Sequence, residues 1–504
     1  MLSVISFLLL FLFSCVGKPA QTEVQESTES NNAVVVSVDA TKEHQTMEGF
    51  GATHLSLVYE GKGDVLTPPL RARAVAAVYQ EVAVSTGNLE GALLESRGGW
   101  NERANDNNDP FKFDADGFQT FNARAIKEKL VDLARPLGFD NYFLAQKINV
   151  RWASPWLNSI RNSDYNRYLD EVAEQVLAGQ LYWRDTFSII PRYLMLFNEP
   201  LSGNRELLNG TTKDVVDIVK RVGARLRNAG FKDIKFVVPN EETEEKSLES
   251  AKAILSDAEA RPYVGAIGYH PYPYGSVYAN VPKILETSGV GKPDPDRIAV
   301  RNKLRDLGKQ YGIPVWMTEV SHGEVDPRSF DDLRGRAIHI HDELVYADAA
   351  AYFGMNSMWD AISHELHFGG RNRNLFSEEG TIVLIDNKTV HITGMGYAIG
   401  HYARWIKRGA IRIDASSSNP LLQVSAFRHG GQRRLVLVII NNASSNNDVN
   451  VNVKGLTMAG NLIGEQSTAA GYWQPVPAFR TTHTSSFMLS VPAKSVTTIA
   501  CQIR

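Results

Sequence analysis

Cysteine is nearly absent from this 504-residue chain, which holds only Cys15 and Cys501. That inventory leaves no CxxC pair, no Cys/His spacing for a structural zinc site and no disulfide framework. An excess of positive charge is missing too. Lys+Arg is 53 and Asp+Glu 56, a net −3 with neutral histidines, and the signs are interspersed along the chain. No positive field exists to hold nucleic acid, so a nucleic-acid partner is not expected. Internal repeats are absent, and past the N-terminal run no stretch approaches the roughly 18 uninterrupted apolar residues of a membrane helix. At 43% hydrophobic and 22% charged residues, a disordered or collagen-like chain is excluded. At roughly 150 residues per domain the length allows two or three domains, or one α/β barrel of about 250 residues or more with a smaller β-domain.

Residues 2–16, LSVISFLLLFLFSCV, are apolar or small, and the first charged side chain is Lys18. The run is short for a membrane span and suits a secretory signal. Leu12-Phe13-Ser14-Cys15 looks like a bacterial lipobox, in which the cysteine becomes a lipidated first residue. Membrane attachment through Cys15 is therefore expected, with simple cleavage near Gly17–Ala20 as the alternative. The expected location is secreted, or an outer-membrane lipoprotein facing the periplasm or the exterior. Residues 18–33 are polar without apolar period and read as a tether.

Val34–Val38 is a β-branched run. From Met47 to Ala403 strand-like runs alternate with helical periods. The expected strands are Glu48–Ala52, Ala83–Leu94, Tyr142–Trp152, Tyr193–Phe197, Ile234–Val238, Ala266–Tyr269, Val315–Val320 and Met355–Trp359. The last intervening helices are expected over Asp332–Tyr352 and Gly394–Ile406. Eight strand–helix units predict an α/β fold, a (β/α)8 barrel, with an open doubly wound sheet as the structural alternative. Past Arg408 helical periods stop, and the short β-rich runs Ala410–Ile413, Leu421–Phe427, Arg434–Asn441, Asp448–Val453, Ser485–Val491 and Ser495–Gln502, between Gly, Asn and Ser turns, predict a β-sandwich. Val34–Val38 is placed to join it, so both chain ends form that domain. The expected organisation is signal 1–17, tether 18–33, sandwich strand 34–46, barrel 47–405 and sandwich 406–504.

Reactive groups of such a barrel sit at the C-terminal ends of its strands. Tyr193–Phe197 runs into Asn198-Glu199-Pro200, and Val315–Thr318 into Glu319. These are strands four and seven, which face each other across the mouth. A carboxylate pair there is the minimum equipment for cleaving a glycosidic bond. Each glutamate taken alone reads equally as a loop acid or half of an ion pair. Each nonetheless ends an apolar strand, where an unpaired carboxylate is costly. His270 and Tyr272 read either as packing at the end of strand six or as site residues. Trp156 and Trp359 read as core or as platforms for sugar rings. His364 and His367, three apart in a loop, make a poor metal site, and no metal or cofactor is expected.

In order along the chain, Gln45–Gly51, Ala153–Trp156, Asn198-Glu199-Pro200, Ile267–Tyr272, Pro314–Glu319 and Gly394–Gly400 together resemble the clan A retaining hydrolases of glycoside hydrolase family 30. The resemblance runs from about Val34 to the C-terminus. It implies a β-glycosidase working by double displacement, with Glu199 as acid/base and Glu319 as nucleophile. It further implies that Asn198 holds the sugar 2-hydroxyl, Tyr272 donates to Glu319, His270 supports the pocket, and Trp156 and Trp359 offer apolar faces. One stretch departs from it. Clan A barrels usually carry an arginine near the end of strand two, where this chain has Asn88 or Glu90, and Arg97 or Arg151 is the replacement to look for. The implied partner is a carbohydrate: an extracellular β-linked polysaccharide or oligosaccharide of glucan, xylan or galactan type. Arg371 and Arg373 raise the idea of an acidic glycan. The competing readings are a surface glycan-binding lipoprotein with an idle barrel, against which the presence of both glutamates argues, and a clan A hydrolase outside family 30.

Overall fold

The computed structural model describes residues 33–53, 66–90, 95–96, 107, 109–112, 117–145, 155–202, 210–272, 281–291, 295–320, 325–360, 381–386, 388–480 and 483–504. The signal, residues 18–32 of the tether and the loops carrying Arg97, Arg151, His364, His367, Arg371 and Arg373 lie outside them. No helix among the described residues is long and apolar enough to cross a membrane.

Eight strands close into a barrel: Gly49–Thr53, Thr86–Glu90, Asn141–Ala145, Tyr193–Met195, Lys235–Glu241, Val264–Tyr269, Val315–Met317 and Ala349–Gly354. Every neighbouring pair is parallel. All C-terminal ends therefore open on one face. Inward side chains plug the interior: Tyr193 meets Trp316 edge-on at 4.8 Å, and Met195, Val237, Ala266, Ala351 and Phe353 complete the layer. The helix after strand four, Thr212–Asn228, begins with a reciprocal cap between Thr211 and Asp214. It lays Val215, Ile218, Val219, Val222 and Leu226 on the sheet.

The eighth barrel strand corrects the sequence expectation. Met355–Trp359 is not part of the barrel: Asn356–Asp360 pairs with Thr381–Asp386 and, through it, Thr389–Ile392 in a separate three-stranded sheet. The strand that closes the barrel is Ala349–Gly354, and the helix expected to run through it stops at Tyr346. Asp348 ends the helix in the left-handed region at φ 49°, with its carboxylate 2.7 Å from Arg412. Three alanines buried on both faces read as helix because alanine is the best helix former.

Apart from a two-stranded pair, Glu95–Ser96 with Phe118–Gln119, the remaining strands form one nine-stranded sheet around a second hydrophobic core. Val34–Thr46 lies in it, antiparallel to Ile411–Ser417 and parallel to Asn447–Lys454, so the domain is built from both ends of the chain. Arg434–Asn441 is apolar almost throughout because both its faces are covered. Leu435, Leu437 and Ile439 enter the sandwich core, while Val436, Val438 and Ile440 join the barrel core. A long hairpin, Met458–Thr468 with Gly471–Arg480, was absent from the expected strands. Its outer arm holds Pro475 and Pro477, which a sheet tolerates at an edge.

The seam between sandwich and barrel carries a polar chain around buried His401. The Thr498 hydroxyl donates to the His401 carbonyl at 2.9 Å, so Thr498 Oγ1 accepts from Nδ1–H at 3.0 Å. Nε2 then accepts from Ser467 at 2.8 Å, and Ser467 Oγ accepts the Trp473 N–H at 2.9 Å. That pattern assigns a neutral ring. Burial pushes its pKa down to about 3, against roughly 6.5 in an unfolded chain. Between those values the unfolded state binds the extra proton. Stability from this site is therefore complete above about pH 6.5 and is lost as pH falls towards the folded value. Between about pH 7 and about pH 5 the expected loss is about 2 kcal/mol. Thermal melts of wild type and His401→Gln at the two pH values check it; equal pH sensitivity in both would show that His401 is not the source.

Candidate active site

Strand four ends at Met195 and runs through Leu196 and Phe197 into Asn198 and Glu199. Glu199 adopts φ 53°, a left-handed conformation that a glutamate takes only at a cost. The turn is held from both sides. Its N–H donates to the Asn240 carbonyl at 2.7 Å, and its carbonyl accepts from the Ser202 N–H and hydroxyl at 3.2 and 3.1 Å. The side chain is thereby directed into the mouth, where it is 2% exposed. Glu319, two residues past strand seven, is 4% exposed.

His270, fully buried at the end of strand six, stands between them. Its Nδ1 lies 3.1 Å from Glu199 Oε1 and 3.8 Å from Glu319 Oε1. The Tyr272 hydroxyl donates to Glu319 Oε1 at 3.4 Å, and its ring meets His270 edge-on at 5.9 Å. One carboxylate oxygen of each glutamate and one His270 nitrogen all fall within 4.8 Å of one another. Four of the residues singled out by sequence thus converge, and Asn198 lies buried beside Glu199. The same three ligand atoms are the donor set a cation would find among the described residues.

The other candidates stand differently. Trp156 falls on the first turn of the helix Pro155–Ser163, with its side chain outside the description. Trp359 lies on the separate small sheet rather than at the end of a barrel strand, and it is 8% exposed. Asn88, where clan A barrels usually carry arginine, is buried and donates from Nδ2 to Met195 Sδ at 3.3 Å. The side chain of Glu90 lies outside the description, as do Arg97 and Arg151.

Sequence reasoning passed over the end of strand five. Asn240, at φ 58°, supplies the carbonyl under Glu199, and its Oδ1 accepts from the Thr318 hydroxyl at 2.8 Å. A Cβ on Gly268 would sit 1.9 Å from that oxygen, so only glycine fits there. Glu241 follows, completely buried, and burial pushes its carboxyl up to about 7. The signal was available: Phe236-Val237-Val238 also runs into an acid, as strands four and seven do.

Comparison with known proteins agrees with this architecture. Residues 409–499 match the glycosyl hydrolase family 30 β-sandwich domain. A curated relative named glucuronoxylanase XynC, from Bacillus subtilis, is 27% identical over 276 residues, 54% of this chain and 53% of the relative. The chain thus spans about half the length of the curated relatives it matches. The solved glycoside hydrolase family 30 subfamily 8 xylanase Xyn30A from Clostridium acetobutylicum superposes with a TM-score of 0.63 at 18% identity, over 93% of this chain and 99% of that one. The endo-β-1,6-glucanase BT3312 gives 0.60 at 18% identity, over 94% and 95%.

Proposed function

We propose that this chain, a member of glycoside hydrolase family 30, is a retaining hydrolase of β-linked polysaccharides, with Glu319 as nucleophile and Glu199 as acid/base. The observation that carries the reading is the closeness of the pair, whose oxygens come within 4.8 Å. Inverting glycosidases separate their carboxyl groups by about 6.5–9.5 Å to seat a water, whereas retaining ones hold them about 5–5.5 Å apart. In this reading the attacking atom is an oxygen of Glu319 itself. Its oxygen bonds to the anomeric carbon while Glu199 gives a proton to the departing oxygen. Glu199 then takes a proton from water, which displaces Glu319 and restores the β-anomer. Tyr272, donating to Glu319 Oε1, orients the nucleophile. In this reading Asn198, buried beside Glu199, takes the sugar 2-hydroxyl, and Trp156 and Trp359 are the residues assigned to sugar faces.

The names of the relatives rank the substrates: glucuronoxylan first, then β-1,6-glucan. The apolar run ending at Cys15 supports action at the cell exterior, attached by lipid or released. The test is a panel of xylan, glucuronoxylan, β-glucans and galactan, with the first-formed anomer followed by proton NMR. Release of oligosaccharides as the β-anomer is expected. An α-anomer would overturn double displacement, and no release from any member would overturn the hydrolase reading.

A further inference from the structure

We infer that Glu241 is a positioning residue for Glu199: its buried carboxyl holds the turn that aims the acid/base at the glycosidic oxygen. The inference rests on the reading of Glu199 given above. Glu241 Oε2 accepts the N–H of Leu201, two residues past Glu199, at 3.1 Å. Its Oε1 accepts the hydroxyl of Ser250, from the helix Glu244–Ser256, at 3.2 Å. Its main-chain carbonyl accepts the N–H of His270 at 3.1 Å. One residue earlier, the Asn240 carbonyl takes the N–H of Glu199.

Two consecutive residues of strand five therefore bind the Glu199 turn on both sides of its left-handed residue and also fix the ring that touches both carboxylates. A completely buried carboxyl is expensive, and an apolar side chain would fill the same space more cheaply. What an apolar side chain cannot do is accept the Leu201 N–H. Without that acceptor nothing of Glu241's side chain opposes relaxation of Glu199 out of its strained backbone. Misplacement of a reacting group by about 1 Å costs on the order of 10²-fold in rate.

The consequence is specific to proton donation. The kcat/KM of a retaining enzyme reports formation of the glycosyl-enzyme, and that step needs the acid only when the leaving group is poor. Glu241→Leu is therefore expected to lower kcat/KM about 10²-fold on the polysaccharide or a phenyl β-glycoside, while a dinitrophenyl β-glycoside changes by less than about 3-fold. Glu241→Gln keeps an acceptor oxygen for Leu201 and should stay within about 5-fold of wild type on both. Circular dichroism and melting temperature establish that each variant is folded. If Glu241→Leu yields no folded protein, Glu241→Asp, which withdraws the carboxyl by one methylene, carries the same comparison. Equal losses on good and poor leaving groups, or no loss on either, would overturn the inference. Failure of the underlying reading looks different: Glu199→Ala itself would then show no dependence on the leaving group.

Discussion

Glu319→Gln should abolish turnover of every β-glycoside that the wild type cleaves, with kcat falling by on the order of 10⁴-fold or more. That is a loss of at least about 5.5 kcal/mol of transition-state stabilisation. The amide is nearly isosteric with the carboxylate, so the Tyr272 hydroxyl still finds an acceptor and substrate binding should be little changed. What disappears is the atom that bonds to the anomeric carbon and the negative charge facing the oxocarbenium-like transition state. The check is single-turnover and steady-state hydrolysis on glucuronoxylan or an aryl β-xylobioside, with binding measured separately by calorimetry. Retention of more than about a tenth of the wild-type kcat would remove Glu319 from the role of nucleophile.

Glu199 and Glu319 were legible because they interrupt apolar runs at strand ends. Strands four and seven stand three places apart round the closed barrel and open on the same face, so two acids with 119 residues between them bring their oxygens within 4.8 Å. Glu241 obeys the same pattern but ends a strand that appeared to stop at Val238, because Pro239 and Asn240 look like turn residues. The partner that ties it to the Glu199 turn is the main-chain N–H of Leu201, which carries no residue signature. The placement of Trp359 on a barrel strand missed for the opposite reason. It rested on counting strands, and the count was shifted by the alanine-rich Ala349–Gly354 run, whose helical propensity is overridden by burial on both faces. The hairpin over Met458–Arg480 was hidden by its glycines and prolines, and these are tolerated because one arm forms the edge of the sheet. Strand Arg434–Asn441 was the easiest to read, since two cores demand apolar side chains on both of its faces.

The replacement Glu199→Ala should separate the two chemical steps. On the polysaccharide, kcat/KM is expected to fall by roughly 10²–10⁴-fold, the range over which a general acid contributes. On a dinitrophenyl β-glycoside kcat/KM should scarcely move, because that leaving group departs as the anion. The kcat on the same substrate should nevertheless drop, since hydrolysis of the glycosyl-enzyme still requires a base to activate water. The intermediate on Glu319 then accumulates, producing a burst of dinitrophenol followed by a slow steady state. Azide needs no base. Added to the variant, it should attack the anomeric carbon, displace Glu319 and restore kcat while giving a β-glycosyl azide in place of the free sugar. A Glu199→Ala variant that shows no burst, no azide product and the same loss on good and poor leaving groups would place the acid/base elsewhere in the mouth. In that event the left-handed turn at Glu199 and its hydrogen bonds to Asn240 and Ser202 would need a different explanation.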